Sequence, residues 1–333
     1  MSGLIYLSGR EVAVACADLD PVAVVADALA HHAAGDCELP EEAYLAWQTH
    51  RGEPARLLAM PGLLDGEGVV GVKVLASNPG NPARGLARAA GLTVLFERAS
   101  ARPVCVMEAA TISALRTAAV SALAARLLAG PPIERMALIG AGALASAHLD
   151  LLPPLLPGLA EIRLHDVAPG RAQALAMSFE RGLRQRLRVA PSAERAIRGA
   201  ELVITTTTAT EAYVALDWLA PGALVVNVSL DDVLPEVVLG VDRVVVDDWD
   251  VVKGDRRRLL GRMARDGLVT GPGAAGPVHA QLGDLLVGRR PGREGDRERI
   301  LVNPFGLAIE DVALAVRVHA AARRLGLGVG LER

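Results

Sequence analysis

The stretch ERMALIGAGALASAHLDLL, residues 134–152, decides the architecture. A short, mostly apolar run, Arg135–Ile139, leads directly into Gly140-Ala141-Gly142-Ala143-Leu144-Ala145, and a helix-like segment follows. Strand, glycine turn and helix in that order give the G-x-G-x-x-A form of the dinucleotide fingerprint. Gly140 permits the tight turn, Gly142 lets the backbone approach a pyrophosphate, and Ala145 allows close helix–strand packing. The N–H groups of the first helical turn then face the phosphates.

Downstream, EIRLH (161–165) runs to Asp166, a carboxylate suited to the ribose hydroxyls of a bound dinucleotide. ELVIT, ALVVN and RVVVD are further β-branched, near-continuously apolar runs, several of them separated by helix-like segments. That alternation predicts βαβ units and a parallel sheet buried on both faces. ITTTTAT (204–210) follows a strand end, so Thr206 and Thr207 either line the nicotinamide side or make local caps. Asp231 and Asp232 lie just beyond ALVVN, where α/β folds place catalytic groups; the alternative is capping of the next helix. Residues 270–277 and 289–299 read as loops.

Upstream, Pro21–Ala34 reads as a helix with Asp20 as its N-cap. Strand-like runs at 55–60, 68–75, 91–96 and 103–107 follow as a meander, then a helix over 111–129. A last helix, 307–325, is expected to return to the first domain. The predicted organisation is α/β: a Rossmann domain over 131–306, and an α+β domain built from 1–130 with 307–333.

The chain has 333 residues, net charge −3 with mixed signs, and three scattered cysteines. Nothing there suggests a nucleic-acid surface, a disulfide framework or a metal centre. No uninterrupted apolar run approaches a membrane span, and the first residues lack a signal-peptide pattern, so the expectation is a cytoplasmic protein. Of the 35 basic residues only Lys73 and Lys253 are lysines. Lys73 interrupts an apolar strand, GVVGVKVL, where an ammonium must find a carboxylate, a substrate or water, the last by snorkelling from a sheet edge. Arg56, in the preceding strand, adds a guanidinium suited to carboxylates. Arg116 sits in a helix of small residues and points either to solvent or to cofactor phosphates.

These residues together resemble the ornithine cyclodeaminase/mu-crystallin family. The resemblance runs through RLLAMP, GVKVLASNPGNP, VMEAATISALRTAAVSALAARLLA, IGAGALA and the Asp232 segment. Within the family the chain looks most like the N-(2-amino-2-carboxyethyl)-L-glutamate dehydrogenases, through VSLDDVLPE, VVVDDW, VHAQLGDLLVGRRPGRE and NPFGLAIED. The resemblance implies a homodimer that uses NAD on an amino-acid-derived polycarboxylate. It places Arg56 and Lys73 on substrate carboxylate, Arg116 at the active site, and Asp232 as catalytic aspartate. Cofactor contacts fall on Ala143 and Leu144 after the glycines, on Asp166, Thr206, Val228, Ser229, Leu230 and Asp231, and on Phe305 and Gly306. Arg88 joins Arg56 and Lys73 as a third cation of that segment, and the base is either Lys73 or Asp232. The loop Ser229-Leu230-Asp231-Asp232-Val233 lacks the lysine usual in cyclodeaminases, which turns the expectation away from ornithine cyclisation. Leu144 stands where many relatives carry glutamine. The rival readings are an alanine-dehydrogenase-like or cyclic-imine reductase activity, and a non-catalytic nucleotide binder like mu-crystallin. Asp166 favours NAD over NADP, and Arg171 is the counter-argument.

Overall fold

A computed structural model describes residues 3–130, 132–273 and 276–332, and divides the chain into two compact units, 1–116 with 307–333, and 117–306. The boundary falls inside the helix Ala110–Leu128, rather than after it at residue 130. Ala274 and Ala275, within the expected loop 270–277, and Met1 and Ser2 of the expected leaderless start lie outside the described residues.

In the first unit the described residues form an eight-stranded sheet of β1 (Leu4–Leu7), β2 (Cys37–Glu38), β3 (Ala43–Gln48), β4 (Pro54–Leu64), β5 (Val69–Ser77), β6 (Ala89–Glu97) and β7 (Pro103–Glu108), closed by β16 (Val329–Leu331). The expected meander is present as β4–β7, antiparallel throughout, with each strand longer than its apolar run. β1, β3 and β16 at its margins carry no clean alternation and were not expected. The helix Pro21–Ala34 begins as read: Asp20 accepts from the N–H groups of Val22 and Ala23 at 3.0 Å.

One face of this sheet carries the helix Ala308–Leu325. Gly62 and Gly71 make that approach possible: a Cβ on Gly71 would stand 2.7 Å from Val312 Cγ2. Pairing in register puts Gly71, Lys73 and Thr93 on this covered face. The opposite face is apolar and uncovered within the unit. Leu57, Ala59, Pro61, Val70, Val72, Val74, Val94 and Phe96 are half-buried there, and Leu45, Trp47 and Leu92 are exposed.

The second unit holds β8 (Arg135–Ile139), β9 (Glu161–His165), β10 (Arg186–Val189), β11 (Leu202–Thr205), β12 (Leu224–Asn227), β13 (Arg243–Val246), β14 (Val278–Gln281) and β15 (Ile300–Val302). They lie side by side in the order β10-β9-β8-β11-β12-β15-β13-β14, and every pair is parallel. The strand order reverses at β8, with β9 to one side and β11 to the other. That is the doubly wound Rossmann arrangement, whose ligand crevice lies at the carboxyl ends beside the reversal. β11 and β12 are buried along their whole length, as sheets covered on both faces require. The loop 289–299 is irregular but tied down, Arg293 donating to the Leu128 and Gly222 carbonyls.

The helix Ala110–Leu128 is long and apolar enough to cross a membrane by length and composition alone. Most of it is buried inside the protein, including Ala118, Val120, Leu123 and Leu128, which accounts for its apolarity.

His148, on the helix Ala143–Leu155, is fully buried. Its Nδ1 lies 2.7 Å from the Leu144 carbonyl, which only accepts, so Nδ1 carries the proton and Nε2 accepts from Ser121 Oγ at 2.8 Å. Burial pushes this imidazole down to about 4, whereas a histidine in the unfolded chain titrates near ~6.5. Above pH ~6.5 both states are neutral and pH has no effect through this group. Below it the unfolded chain takes a proton that the native state refuses, so stability is lost as pH falls toward 4. Urea unfolding at pH 7.5 and 4.5 should therefore show wild type losing about 2–3 kcal/mol more than His148→Gln; equal losses would mean that the imidazole is not held neutral.

Candidate active site

In the second unit the fingerprint folds as the sequence requires. Gly140 has φ +100°, and a Cβ there would meet the Thr206 backbone at 2.9 Å, so neither the conformation nor the space admits a side chain. Thr206 donates to the Ile139 carbonyl from both its N–H (2.7 Å) and its hydroxyl (3.1 Å), bracing the turn from the neighbouring strand. Its hydroxyl is thus spent on backbone. Gly142 is the N-cap of the helix Ala143–Leu155, no side chain caps that terminus, and a Cβ on Gly142 would meet nothing within 4 Å. Open space before an uncapped 13-residue helix fits a pyrophosphate. Ala143 and Leu144 form its first turn, and Ala145 is fully buried, as close packing demands. Asp166 stands at the end of β9, accepting N–H bonds from Ala141 and Ala168 at 2.8 Å each. Its carboxylate is thereby fixed beside the glycine turn.

Asp232 is fully buried and receives three hydroxyls. Thr207 (2.5 Å) and Tyr213 (2.7 Å) donate to Oδ1, and Ser229 donates to Oδ2. The phenol of Tyr213 is pushed far above its ordinary value, first by burial and then by the Asp232 charge. The turn that presents Asp232 is strained: Leu230 has φ +75°, a left-handed conformation costing an L side chain roughly 1–2 kcal/mol. Asp231 accepts from Arg258 Nη1 and from the Leu259 N–H, both at 2.8 Å, at the start of the helix Leu259–Arg265. Val228 and Ser229 are partly exposed on the same turn. The Phe305–Gly306 segment is held by buried Asp247, which accepts the Gly306 N–H at 2.5 Å, and burial raises the Asp247 carboxyl.

In the first unit Lys73 is 2% exposed, and its Nζ lies 2.6 Å from Asp311 Oδ2. Arg116 is buried rather than pointed to solvent: its Nη1 donates to Glu310 Oε2 at 2.8 Å, and its Nε stands 3.4 Å from Asp311. Two cations and two carboxylates thus form one buried cluster between β5, the helix Ala110–Leu128 and the C-terminal helix. Burial lowers the Lys73 ammonium, opposed by Asp311 and assisted by Arg116. Glu310 and Asp311 had no role in the sequence reading. Their signal is two adjacent acids in an otherwise apolar helix segment, and an ammonium in need of a carboxylate. Arg56 shares the covered face with Lys73 but pairs with Ser77, four positions along β5, roughly 13 Å away. It donates to Ser77 Oγ at 3.2 Å and is partly exposed. Arg88 precedes β6 at that same sheet end. Among the described residues no cluster of metal-ligating side chains occurs.

The family model for the ornithine cyclodeaminase/mu-crystallin family matches residues 7–325. The chain is 33% identical to the N-((2S)-2-amino-2-carboxyethyl)-L-glutamate dehydrogenase of Staphylococcus aureus, over 99% of this chain and 98% of that protein. It superposes on the crystal structure of CmnK with a TM-score of 0.92 and 37% identity, covering 100% and 99% of the two chains. An archaeal alanine dehydrogenase dimer with bound NAD gives a TM-score of 0.86 and 28% identity, with 99% of each chain covered.

The closeness of the cluster makes Lys73→Arg a sharp test. A guanidinium is larger, planar and never deprotonated, and the site is closed. The purified variant should melt several degrees lower, overpacking costing ~1–3 kcal/mol, and should lose at least about tenfold in kcat/KM, a loss of ~1.4 kcal/mol in transition-state stabilisation. The structure already excludes a snorkelling lysine at a sheet edge, since β5 is an inner strand; wild-type behaviour in calorimetry and kinetics would mean that the buried cluster accepts either cation.

Proposed function

The chain belongs to the ornithine cyclodeaminase/mu-crystallin family, and from that premise we propose that it catalyses NAD-dependent oxidative cleavage of N-(2-amino-2-carboxyethyl)-L-glutamate to L-2,3-diaminopropionate and 2-oxoglutarate. It is an oxidoreductase acting on an amino-acid-derived substrate. The observation that carries the choice of substrate is the 33% identity to the Staphylococcus aureus dehydrogenase along 99% of the chain.

The residues suit the chemistry. The secondary amine of the substrate must be neutral before its α-hydrogen leaves with two electrons, so a base is needed. Asp232 is the better candidate, because the Lys73 ammonium is already engaged by Asp311. A bound NAD would supply the two-electron acceptor for the hydride leaving the glutamate α-carbon. The resulting substrate imine gains water at that carbon. Collapse breaks the C–N bond and returns a ketone, 2-oxoglutarate, and a primary amine, diaminopropionate. Arg56, with Arg88 at the same end of the sheet, supplies positive charge for the carboxylates, while Lys73 and Arg116 stay paired with Asp311 and Glu310. Asp166 disfavours a 2′-phosphate by repulsion, so NAD is preferred to NADP.

The test is turnover of that substrate with either coenzyme at matched concentration. NADH, 2-oxoglutarate and diaminopropionate should appear in equal amounts, with NADP at least about tenfold poorer. Asp232→Asn should bind NADH normally by fluorescence titration and lose most turnover. Consumption of alanine or pyruvate with ammonia instead would favour the activity named for the archaeal neighbour.

The same reading includes a homodimer. An apolar sheet face centred on Val72 and Val94 is only half-buried, with Leu45, Trp47 and Leu92 exposed on it, and a contiguous apolar face of this kind suits association. A twofold copy of itself is a self-complementary cover. Light scattering should give twice the chain mass, and Val72→Glu should give monomer with native circular dichroism; a monomeric wild type ends the idea.

A further inference from the structure

Four polar side chains cross the carboxyl ends of three neighbouring strands and end on Asp232. Ser229 Oγ donates to Asp232 Oδ2. Ser229 Oγ also lies 3.0 Å from Thr205 Oγ1, at the end of β11. Thr205 Oγ1 is 2.8 Å from Asn227 Oδ1, at the end of β12, and Asn227 Nδ2 is 2.7 Å from Asn303 Oδ1, just past β15. Thr205, Asn227 and Asp232 are fully buried and Asn303 is 2% exposed.

Counting protons fixes the direction of every bond. Each hydroxyl has one hydrogen. If Ser229 gives its hydrogen to Asp232 and Thr205 gives its own to Asn227 Oδ1, the two hydroxyls face each other with lone pairs only. In that arrangement Asn303 Nδ2 is also buried with no partner among the described residues. An amide's oxygen and nitrogen are alike in shape, and the network decides which is which. Turning both amides end for end removes the clash. Asn303 Nδ2 then donates to Asn227 Oδ1, Asn227 Nδ2 to Thr205, Thr205 to Ser229, and Ser229 to Asp232. An unpaired carbonyl replaces an unpaired amide, which costs less.

We propose that Asn303, Asn227, Thr205 and Ser229 are positioning residues, a one-way row of donors that orients the Asp232 carboxylate and holds its Oδ2 as an acceptor. The inference rests on Asp232 being the base of the proposed reaction. Donors to the charged form stabilise it, so shortening the row should make Asp232 easier to protonate. Tyr213 is the titratable group in direct contact with Asp232. Asp166 acts on Tyr213, and neighbouring Asp231 is compensated by Arg258 and Arg262. None of these changes in the variants below.

The test is the pH profile of kcat/KM in the NAD-loaded dimer. Asn303→Leu keeps volume and removes the first donor. Its acidic limb should rise by about one pH unit, with KM for NAD unchanged and activity restored at higher pH. Ser229→Ala should raise the limb at least as far, and the double variant no further than Ser229→Ala alone, since the two act in series. Should Asn303→Leu not fold, Asn303→Ala serves: a methyl group cannot donate to Asn227 and adds no charge, and the limb must again rise. A uniform loss of activity with an unmoved limb would reduce Asn303 to a structural part and overturn the row. Full activity of Asp232→Asn would instead remove the base assignment on which the row depends.

Discussion

The pairing of Lys73 with Asp311 is the contact on which the first unit is organised. It joins the middle strand of an antiparallel meander to a helix from the far end of the chain, and it is shut away from water. An ammonium in such a place is tolerable only with a carboxylate in contact, and the carboxylate only with its cation. Arg116 and Glu310 repeat the arrangement beside it, so the cluster is neutral as a whole. The helix can approach closely enough because Gly62 and Gly71 leave the sheet bare beneath it. Charge and steric fit therefore specify the same docking. A buried cluster of this kind adds little net stability over an apolar one, but it rejects every register in which one charge is left alone.

Much of this architecture is readable in the linear chain, and the exceptions have physical causes. The fingerprint, the parallel strands and the helix Pro21–Ala34 announce themselves because one local rule suffices for each: glycine freedom, continuous burial, an aspartate cap. β3 and β16 are edge strands, exposed along their length, and no periodicity of burial is impressed on them. Lys73 and Asp232 are legible because each breaks an apolar pattern at a place where folds put chemistry. Glu310 and Asp311 are not, since two acids on a helix usually mean a solvated face. Asn227 and Asn303 lie far apart in the chain, and only the strand order β12-β15 makes them neighbours.

Asp231 and Asp232 show how little sequence adjacency says about role. One carboxylate is consumed by a helix terminus and arginines, the other is gathered by hydroxyls. Leu230, in its left-handed conformation between Ser229 and Asp231, helps turn the two acids onto different partners. Strain at such a point is held by its surroundings, here the buried partners on either side.

The two units also differ in how they can be made. The second is one unbroken segment, whereas the first lacks its covering helix until residues 308–325 have joined it. Until then Lys73 has no Asp311, and both faces of an antiparallel apolar sheet stand open. A chain whose helix Ala308–Leu325 has yet to dock therefore carries an aggregation-prone first unit, and prompt return of that helix becomes part of what this sequence needs in order to fold.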